Sequence, residues 1–368
     1  MSPRNAREYG FWLSGARVGL QPATRALLSF ALWACGSAPA DEASEDPSTE
    51  SGSESISNGG SDSSSSGQGG WTPLRRRGAE DDPAANPVRL GGNTPSPAGS
   101  DPDPNRITSA GGVEPILPEV SGECPSFTTG TQTILGLSTE VVAGDPGDVK
   151  GPLLFTWHGT GGNGRQALRQ LPQSVRDDIV AQGGVIIAPS DNGQVRAGRD
   201  VTFVLGVWYD GADLAFADQI VACAVKNQNV DPRRIFVTGC SAGGLMAGVM
   251  SVERSGYVAA VAPNSGGLAT AQFQLQSAER VPAVMSMHGG DSDTVVVNFG
   301  DTTRTLTNVL KPKGSFVVEC NHGMGHCGAP ASLHESAWEF MQAHPFGTQP
   351  SPFAGGLPGS FPDFCVIE

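Results

Sequence analysis

A serine between two glycines is the side chain in this sequence best suited to covalent chemistry. Residues 239–243 read GCSAG and place Ser241 in the pattern G-x-S-x-G. The bare pattern is weak in a chain with 50 glycines, but an apolar segment of strand length runs directly into it and a segment of helical length follows. A serine on so sharp a turn exposes its hydroxyl, and the glycines let neighbouring segments of the backbone come close. The context therefore predicts Ser241 as a nucleophile; a tight turn without catalysis is the alternative.

A nucleophilic serine needs a base, and the sequence offers six histidines. His158 and His288 precede glycines at strand ends and should shape loops. His334 and His344 lie on an amphipathic C-terminal segment and should be solvated. The remaining two, His322 and His326, follow the last predicted buried strand. Because the base comes after the acid, beyond the final strand, in a Ser–acid–His order, we predict His326 and keep His322 in reserve.

The acid that orients this base should follow the preceding strand. The segment 287–296 contains two aspartates, Asp291 and Asp293. Asp293 is followed by an apolar run of the kind found after the acid in many enzymes of this arrangement. We predict Asp293 as the acid, with Asp291 as the alternative; the other aspartate is then a turn residue.

Two backbone N–H groups are needed to stabilise the oxyanion of a tetrahedral intermediate. One should come from Ala242, which follows the nucleophile. The other should come from the loop 158–162, which reads HGTGG, with Thr160 as the best placed donor. The same loop could cradle a phosphate, but it lacks the Lys-Ser/Thr ending of a P-loop, so we reject that alternative.

Cysteines flank both the predicted nucleophile and the predicted base. Cys240 precedes Ser241, and Cys327 follows His326. A disulfide between them would hold the two catalytic side chains together and, for a loop of this size, would stabilise the fold by about 4–5 kcal/mol. Either cysteine could instead pair elsewhere. Four further cysteines allow three connectivities: Cys124, Cys223, Cys320 and Cys365.

A zinc site is a different interpretation of the same segment. Cys320, His322, His326 and Cys327 are four possible ligands, but they fall within eight residues, whereas zinc sites usually draw on two separated ligand pairs. We therefore predict no metal and no organic cofactor.

Short apolar runs alternate with segments of helical length between residues 150 and 345. The runs lie at 153–157, 185–188, 234–238, 257–261, 284–287 and 316–318, and the two clearest helical segments lie at 213–227 and 242–253. Continuous apolar strands separated by helices indicate a mostly parallel sheet with helices on both faces. The motif-bearing residues follow the carboxyl ends of these strands, where such sheets bind ligands.

The N-terminal third of the chain has a different composition. Residues 1–35 combine arginines, a short apolar run and small residues, which predicts a bacterial lipoprotein signal peptide with Cys35 as the lipidated residue. Residues 36–120 are rich in Ser, Gly, Pro and Asp and predict a disordered linker, which leaves 121–368 as one catalytic domain. The net charge of −14 argues against a nucleic-acid partner. We expect an exported protein, either secreted or attached to the cell envelope only through its lipid anchor.

Three stretches carry a resemblance to a known family. Residues 154–159, 231–247 and 323–326 look like the poly(3-hydroxybutyrate) depolymerase and feruloyl esterase group of secreted α/β-hydrolases. The pairs 240–241 and 326–327, taken with Asp293, are similar to a feruloyl esterase and tannase signature. The resemblance implies an α/β-hydrolase fold, a triad of Ser241, Asp293 and His326, and a disulfide between the two flanking cysteines.

Two departures from this family bear on the substrate. No segment is long enough for the large lid of tannase-type enzymes, and the linker cannot fold into an appended substrate-binding domain. We therefore expect an open site for soluble or short esters. Trp157, Trp208 and Tyr209 lie at predicted strand ends and could line an aromatic acyl pocket, although Trp157 is equally suited to the core.

The sequence as a whole predicts an exported serine esterase. It would hydrolyse small or polymeric carboxylic esters, of feruloyl or short hydroxyalkanoate type, through an acyl-enzyme. A serine peptidase of the same fold and a non-catalytic lipoprotein that binds a surface polymer are the alternatives.

Overall fold

The computed structural model describes residues 113–191, 203–204, 207–273, 275–277 and 279–368. The predicted signal peptide with Cys35, and residues 36–112 of the predicted linker, lie outside this part of the chain. No helix within it is long and apolar enough to cross a membrane. The last residues of the predicted linker lie against the domain, where the Ile116 N–H donates to the Gly256 carbonyl at 2.7 Å and Glu114 pairs with Arg233.

Strands make up the centre of the described chain. In chain order they are β1 (Gly130–Ile134), β2 (Leu137–Ala143), β3 (Gly151–Trp157), β4 (Val185–Pro189), β5 (Phe203–Val204), β6 (Trp208–Tyr209), β7 (Val230–Cys240), β8 (Ala260–Asn264), β9 (Ala283–His288), β10 (Thr294–Val295), β11 (Val297–Asn298), β12 (Val317–Asn321) and β13 (Cys365–Ile367). Nine of them form one sheet in the order β1-β2-β4-β3-β7-β8-β9-β12-β13. The six strands from β4 to β12 are parallel to one another, and the outer strands pair antiparallel.

Helices cover both faces of this sheet. They are α1 (Gly164–Gln170), α2 (Gln173–Ala181), α3 (Asp210–Asn227), α4 (Ala242–Glu253), α5 (Phe299–Leu310) and α6 (Ala331–Ala343). Successive residues of a strand face opposite sides, so Phe155 packs in a core with α3, α4 and α5, while Leu154 packs in a second core with α2 and α6. This double burial is why the central strands are apolar without interruption.

The predicted parallel sheet and its central strands are confirmed. The predicted strand at 257–261 begins later, at Ala260, because the N–H groups of Tyr257 and Val258 both donate to the Arg254 carbonyl and complete the turn after α4. The sequence did not indicate β1, β2 and β13. β2 alternates buried with less buried residues and so carries no continuous apolar run. β1 is largely exposed and carries no apolar run, and β13 is a three-residue edge strand.

Two disulfides fasten the outer parts of the domain. Cys124 is bonded to Cys223 in α3, and Cys320 in β12 is bonded to Cys365 in β13. Each bond closes a loop of tens of residues, which removes conformational freedom from the unfolded chain. The second bond also holds β13 at the edge of the sheet, where only three residue pairs join it to β12.

Candidate active site

Ser241 occupies a strained turn between β7 and α4. The strand ends at Cys240 and the helix begins at Ala242, and Ser241 alone lies between them, with φ 58° and ψ −120°. A side chain with positive φ is unfavourable, so neighbouring contacts must hold it. Its N–H donates to the Asn264 carbonyl at 3.1 Å, and its carbonyl accepts from the Leu245 N–H at 2.9 Å. The strand-turn-helix context that the sequence predicted is therefore present.

Glycines permit this turn because other backbone lies directly against it. A Cβ at Gly243 would collide with the Trp157 carbonyl oxygen at the end of β3. A Cβ at Gly159, in the loop after β3, would lie 3.0 Å from the Ser241 Cβ and 3.7 Å from its Oγ. With its neighbours this close, Ser241 is only 1% exposed, in contrast to the open hydroxyl expected from the sequence.

Both predicted oxyanion donors lie beside this serine. Ala242 is the first residue of α4, so its N–H has no acceptor within the helix. Thr160 follows Gly159 in the loop that contacts Ser241. The N-terminus of α4 adds its partial positive charge at the same place.

Asp293, and not Asp291, contacts a histidine. Its Oδ1 lies 2.7 Å from Nδ1 of His326. Asp291 is exposed in a short 3₁₀ turn at 290–292, as expected for the aspartate that only shapes the turn. The side chain of Asp293 is completely buried, whereas that of His326 is 13% exposed.

Hydrogen bonds keep the buried carboxylate of Asp293 ionised. Burial alone would raise its pKa, but hydrogen bonds from His326, the Gly289 N–H and the Ser265 hydroxyl outweigh burial and lower the pKa below its ordinary value. The last two donors reach Oδ2 at 2.9 and 2.8 Å. A carboxylate held in this way can stabilise a protonated imidazole at its other oxygen.

A third disulfide connects the two loops that carry the histidine and the serine. Cys240 and Cys327 are bonded, with their Cα atoms 5.8 Å apart, and they are the immediate neighbours of Ser241 and His326. The Phe299 ring packs on the His326 ring at 4.8 Å between centroids.

Ser265 belongs to this site, although the sequence analysis did not identify it. Its hydroxyl donates to Asp293 Oδ2 and accepts from the Cys327 N–H at 2.8 Å, so it connects Asp293 to the loop of His326. Like Ser241, it is buried and has a positive φ, 43°. The available signal was its place just after β8, the strand next to the nucleophile strand.

The other candidates at this edge have structural partners. His158 and His288 contact loop backbone through their rings, which confirms that they shape loops. His322 is buried, which lowers its pKa, and its Nδ1 accepts from the Met324 N–H at 3.1 Å. The four-ligand zinc alternative is wrong because Cys320 and Cys327 belong to two different disulfides. The described residues contain no cluster of three or more His, Cys, Asp or Glu side chains suited to a metal.

The predicted aromatic acyl pocket is wrong for both tryptophans. Trp157 and Trp208 are 0% and 1% exposed and pack edge to face, 4.7 Å between centroids. The Trp208 indole N–H donates to the His158 carbonyl at 3.0 Å. The two tryptophan rings therefore support the loop after β3. The side chain of Tyr209 lies outside the described part of the structure.

The sheet order, the turn at Ser241 and the carboxylate–histidine pair define the class of fold: the chain has the α/β-hydrolase fold. The sequence model of the prolyl oligopeptidase family matches residues 174–294, about a third of the chain. A curated relative, the poly(3-hydroxyalkanoate) depolymerase C of Paucimonas lemoignei, is 26% identical over 166 residues, which cover 42% of this chain and 37% of the depolymerase.

Solved structures agree on the fold. The chain is similar to pOPH, with 19% identity and a TM-score of 0.53, over 67% of this chain and 96% of pOPH. It is similar to sOPH, with 17% identity and a TM-score of 0.52, over 68% of this chain and 97% of sOPH. The resemblance to feruloyl esterases and tannases stays a prediction.

Proposed function

We propose that the protein is an exported serine esterase that uses Ser241, His326 and Asp293 as its triad. The observation that carries this proposal is the Asp293–His326 hydrogen bond of 2.7 Å, in a loop bonded through Cys240–Cys327 to the strained turn at Ser241. Each element has a role in acyl transfer: a nucleophile on an elbow, an oriented base and a buried acid.

In this mechanism the Ser241 hydroxyl attacks the ester carbonyl while His326 accepts its proton. The N–H groups of Thr160 and Ala242 stabilise the oxyanion of the tetrahedral intermediate. His326 then protonates the leaving alcohol, and water releases the acyl group by the same steps in reverse order. Asp293 orients His326 and stabilises its charged form. Because these side chains and N–H groups account for every step, the mechanism needs no metal or organic cofactor.

The burial of the two tryptophans bears on the acyl group. Without an aromatic pocket from these side chains, the case for a ferulate weakens. The similarity to a poly(3-hydroxyalkanoate) depolymerase then favours short hydroxyalkanoate esters. Three disulfides suit an exported protein. The same proposal includes a signal peptide at 1–35 with lipidation at Cys35, a linker at 36–120 and a catalytic domain at 121–368.

The test compares methyl ferulate with a soluble 3-hydroxybutyrate oligomer, using the purified, disulfide-bonded chain. We expect hydrolysis of the oligomer and its loss in Ser241→Ala by about 10⁵-fold or more in kcat. Ferulate cleavage alone would contradict the acyl preference, and equal activity of the variant would contradict the triad.

A peptidase is the second candidate, because the prolyl oligopeptidase family model covers the elbow and Asp293. Prolyl p-nitroanilides test it: cleavage that depends on Ser241, with no ester turnover above that of Ser241→Ala, would favour a peptidase. Failure of a fluorophosphonate to label Ser241 would instead favour a non-catalytic, polymer-binding protein.

A further inference from the structure

A buried histidine that takes no part in the proposed proton transfers holds the loop after β3. His158 follows the last residue of β3 and is 2% exposed. Its Nδ1 lies 2.7 Å from the Gly159 carbonyl oxygen, and its Nε2 lies 2.9 Å from the backbone N–H of Asp191. The Trp208 ring packs against it at 4.6 Å between centroids.

These contacts determine where the imidazole carries its proton. A backbone N–H can only donate, so Nε2 of His158 must accept from Asp191. The proton of the neutral ring is therefore on Nδ1, where it donates to the Gly159 carbonyl. Burial lowers the pKa of His158, which keeps the ring neutral and this arrangement intact near pH 7.

The orientation of one peptide group follows from that hydrogen bond. The Gly159 carbonyl also accepts from the Gly162 N–H at 3.0 Å, so two donors hold its oxygen. In a planar trans peptide the carbonyl of one residue points opposite to the N–H of the next. Holding the Gly159 oxygen on the side of His158 and Gly162 therefore turns the Thr160 N–H to the other side.

The nucleophile lies close to the same peptide group. The position of a Cβ on Gly159 is 3.7 Å from Ser241 Oγ, so Gly159 packs directly on the reacting side chain. We propose that His158 is a positioning residue that holds the Gly159–Thr160 peptide so that the Thr160 N–H faces the oxyanion formed at Ser241. This inference rests on the esterase function proposed above.

Two substitutions separate the ring's two contacts. In His158→Asn the amide nitrogen can take the place of Nδ1 and keep the bond to the Gly159 carbonyl. In His158→Gln the amide reaches the place of Nε2 and loses that bond. We expect His158→Gln to lower kcat for p-nitrophenyl acetate by about 30- to 100-fold with little change in KM, since loss of an oxyanion donor costs 10²–10³-fold. His158→Asn should stay within about 5-fold of the wild type.

A boronic acid distinguishes positioning from a merely structural role, because its tetrahedral serine adduct carries the oxyanion. Inhibition by butylboronic acid should weaken in His158→Gln by nearly the factor lost from kcat, and should be almost normal in His158→Asn. His344 provides the matched control: it is also buried, and its Nδ1 also lies 2.7 Å from a backbone carbonyl, but it lines a cavity at the opposite edge of the sheet. His344→Gln should affect stability and leave boronate inhibition unchanged.

The proposal is overturned if Asn and Gln at position 158 have equal effects, or if kcat falls without weaker boronate inhibition. A measurement on the wild type covers the case in which the variants do not fold. Nitrogen chemical shifts of the His158 ring should report a neutral Nδ1–H tautomer, and an Nε2–H tautomer would refute the proposal. If instead fluorophosphonate fails to label Ser241 in the wild type, the esterase function itself is wrong.

Discussion

Each of the two edges of the central sheet holds a histidine whose Nδ1 has a hydrogen-bond partner, but the two Nδ1 partners differ in charge. At the carboxyl edge, His326 Nδ1 faces the carboxylate of Asp293. At the amino edge, His344 lies between the Phe340 carbonyl and the Ser351 hydroxyl, each at 2.7 Å, beside a cavity of about 560 Å³. Burial among these neutral partners lowers the pKa of His344 to about 4.

This difference shows what makes a buried histidine useful for proton transfer. A neutral carbonyl or hydroxyl orients the ring but does not offset the cost of burying its positive charge. A carboxylate does both, because its negative charge stabilises the imidazolium. Neutral partners therefore suit His344 to a structural role, whereas the carboxylate of Asp293 suits His326 to proton transfer. A carboxylate alone is not sufficient, because buried His288 also pairs with Glu319 at 2.9 Å but does not adjoin the turn at Ser241 through a disulfide.

Removing the charge of Asp293 should reduce activity more than any other change around these histidines. The partner of His326 would then be neutral, like the two partners of His344. We expect Asp293→Asn to lower kcat by about 10⁴-fold. Asp291→Asn is the matched control, and its exposed turn position predicts a change of less than about 2-fold. Steady-state ester hydrolysis measures both. Equal losses in the two variants would mean that the acid has been misassigned.

Breaking the disulfide beside His326 should have the next largest effect on activity. Replacing Cys240 and Cys327 by serine should cost about 4 kcal/mol of unfolding free energy and most of the activity, because the bond closes an 87-residue separation and holds the loops of Ser241 and His326 together. The control replaces Cys320 and Cys365, which join edge strands instead. Denaturant unfolding and ester turnover compare them. We expect the control to lose stability but to keep most of its kcat when folded; a similar loss of kcat would contradict this role.

His344, at the amino edge of the sheet, should make the stability of the fold depend on pH in the acid range. The unfolded chain protonates a histidine near pH 6.5, but folded His344 does so only at about 4. Stability should therefore fall as the pH drops from about 6.5 to 4, by about 3 kcal/mol from this residue. In His344→Gln the slope of the unfolding free energy against pH should lose one proton's contribution. An unchanged slope would show that His344 is not buried as a neutral ring.

The smallest effect should come from Ser265, whose buried hydroxyl contacts Asp293 and the Cys327 N–H. Ser265→Ala removes one donor to the carboxylate, so the pKa of Asp293 should rise. The more basic carboxylate would stabilise protonated His326 more strongly, and the acid limb of kcat/KM, which reports protonation of the base, should move to higher pH. We expect a loss of about 10-fold in kcat at neutral pH. Ser286→Ala is the control, since that buried hydroxyl has no hydrogen-bond partner among the residues the structure describes. A lower activity with an unmoved acid limb would mean that Ser265 acts only through packing.

Much of the fold could be predicted because its signals are local. Apolar runs located the central strands, and the glycines around Ser241 located the turn between β7 and α4. The sequence was less informative for side chains whose surroundings come from distant segments. His344 was expected to be solvated, but it is buried among the rings of Phe316, Phe340 and Phe353. The tryptophans at the end of β3 and in β6 were candidates for an acyl pocket because strand ends often line sites, yet their large apolar rings pack on one another.

The class of fold, the elbow and the short list of groups that could form a triad can be inferred from the sequence alone. These depend on the period of apolar residues and on backbone torsions, which a few neighbouring residues control. The folded structure was needed to show that Asp293 rather than Asp291 contacts His326. It was also needed to show that Ser265 donates to Asp293, and that His158 holds the Gly159 carbonyl. The contacts of Asp293 with His326 and Ser265 join residues 33 and 28 positions apart, and the donor that fixes the His158 ring, the Asp191 N–H, is 33 positions away. Their directions therefore depend on how the loops pack at the edge of the sheet.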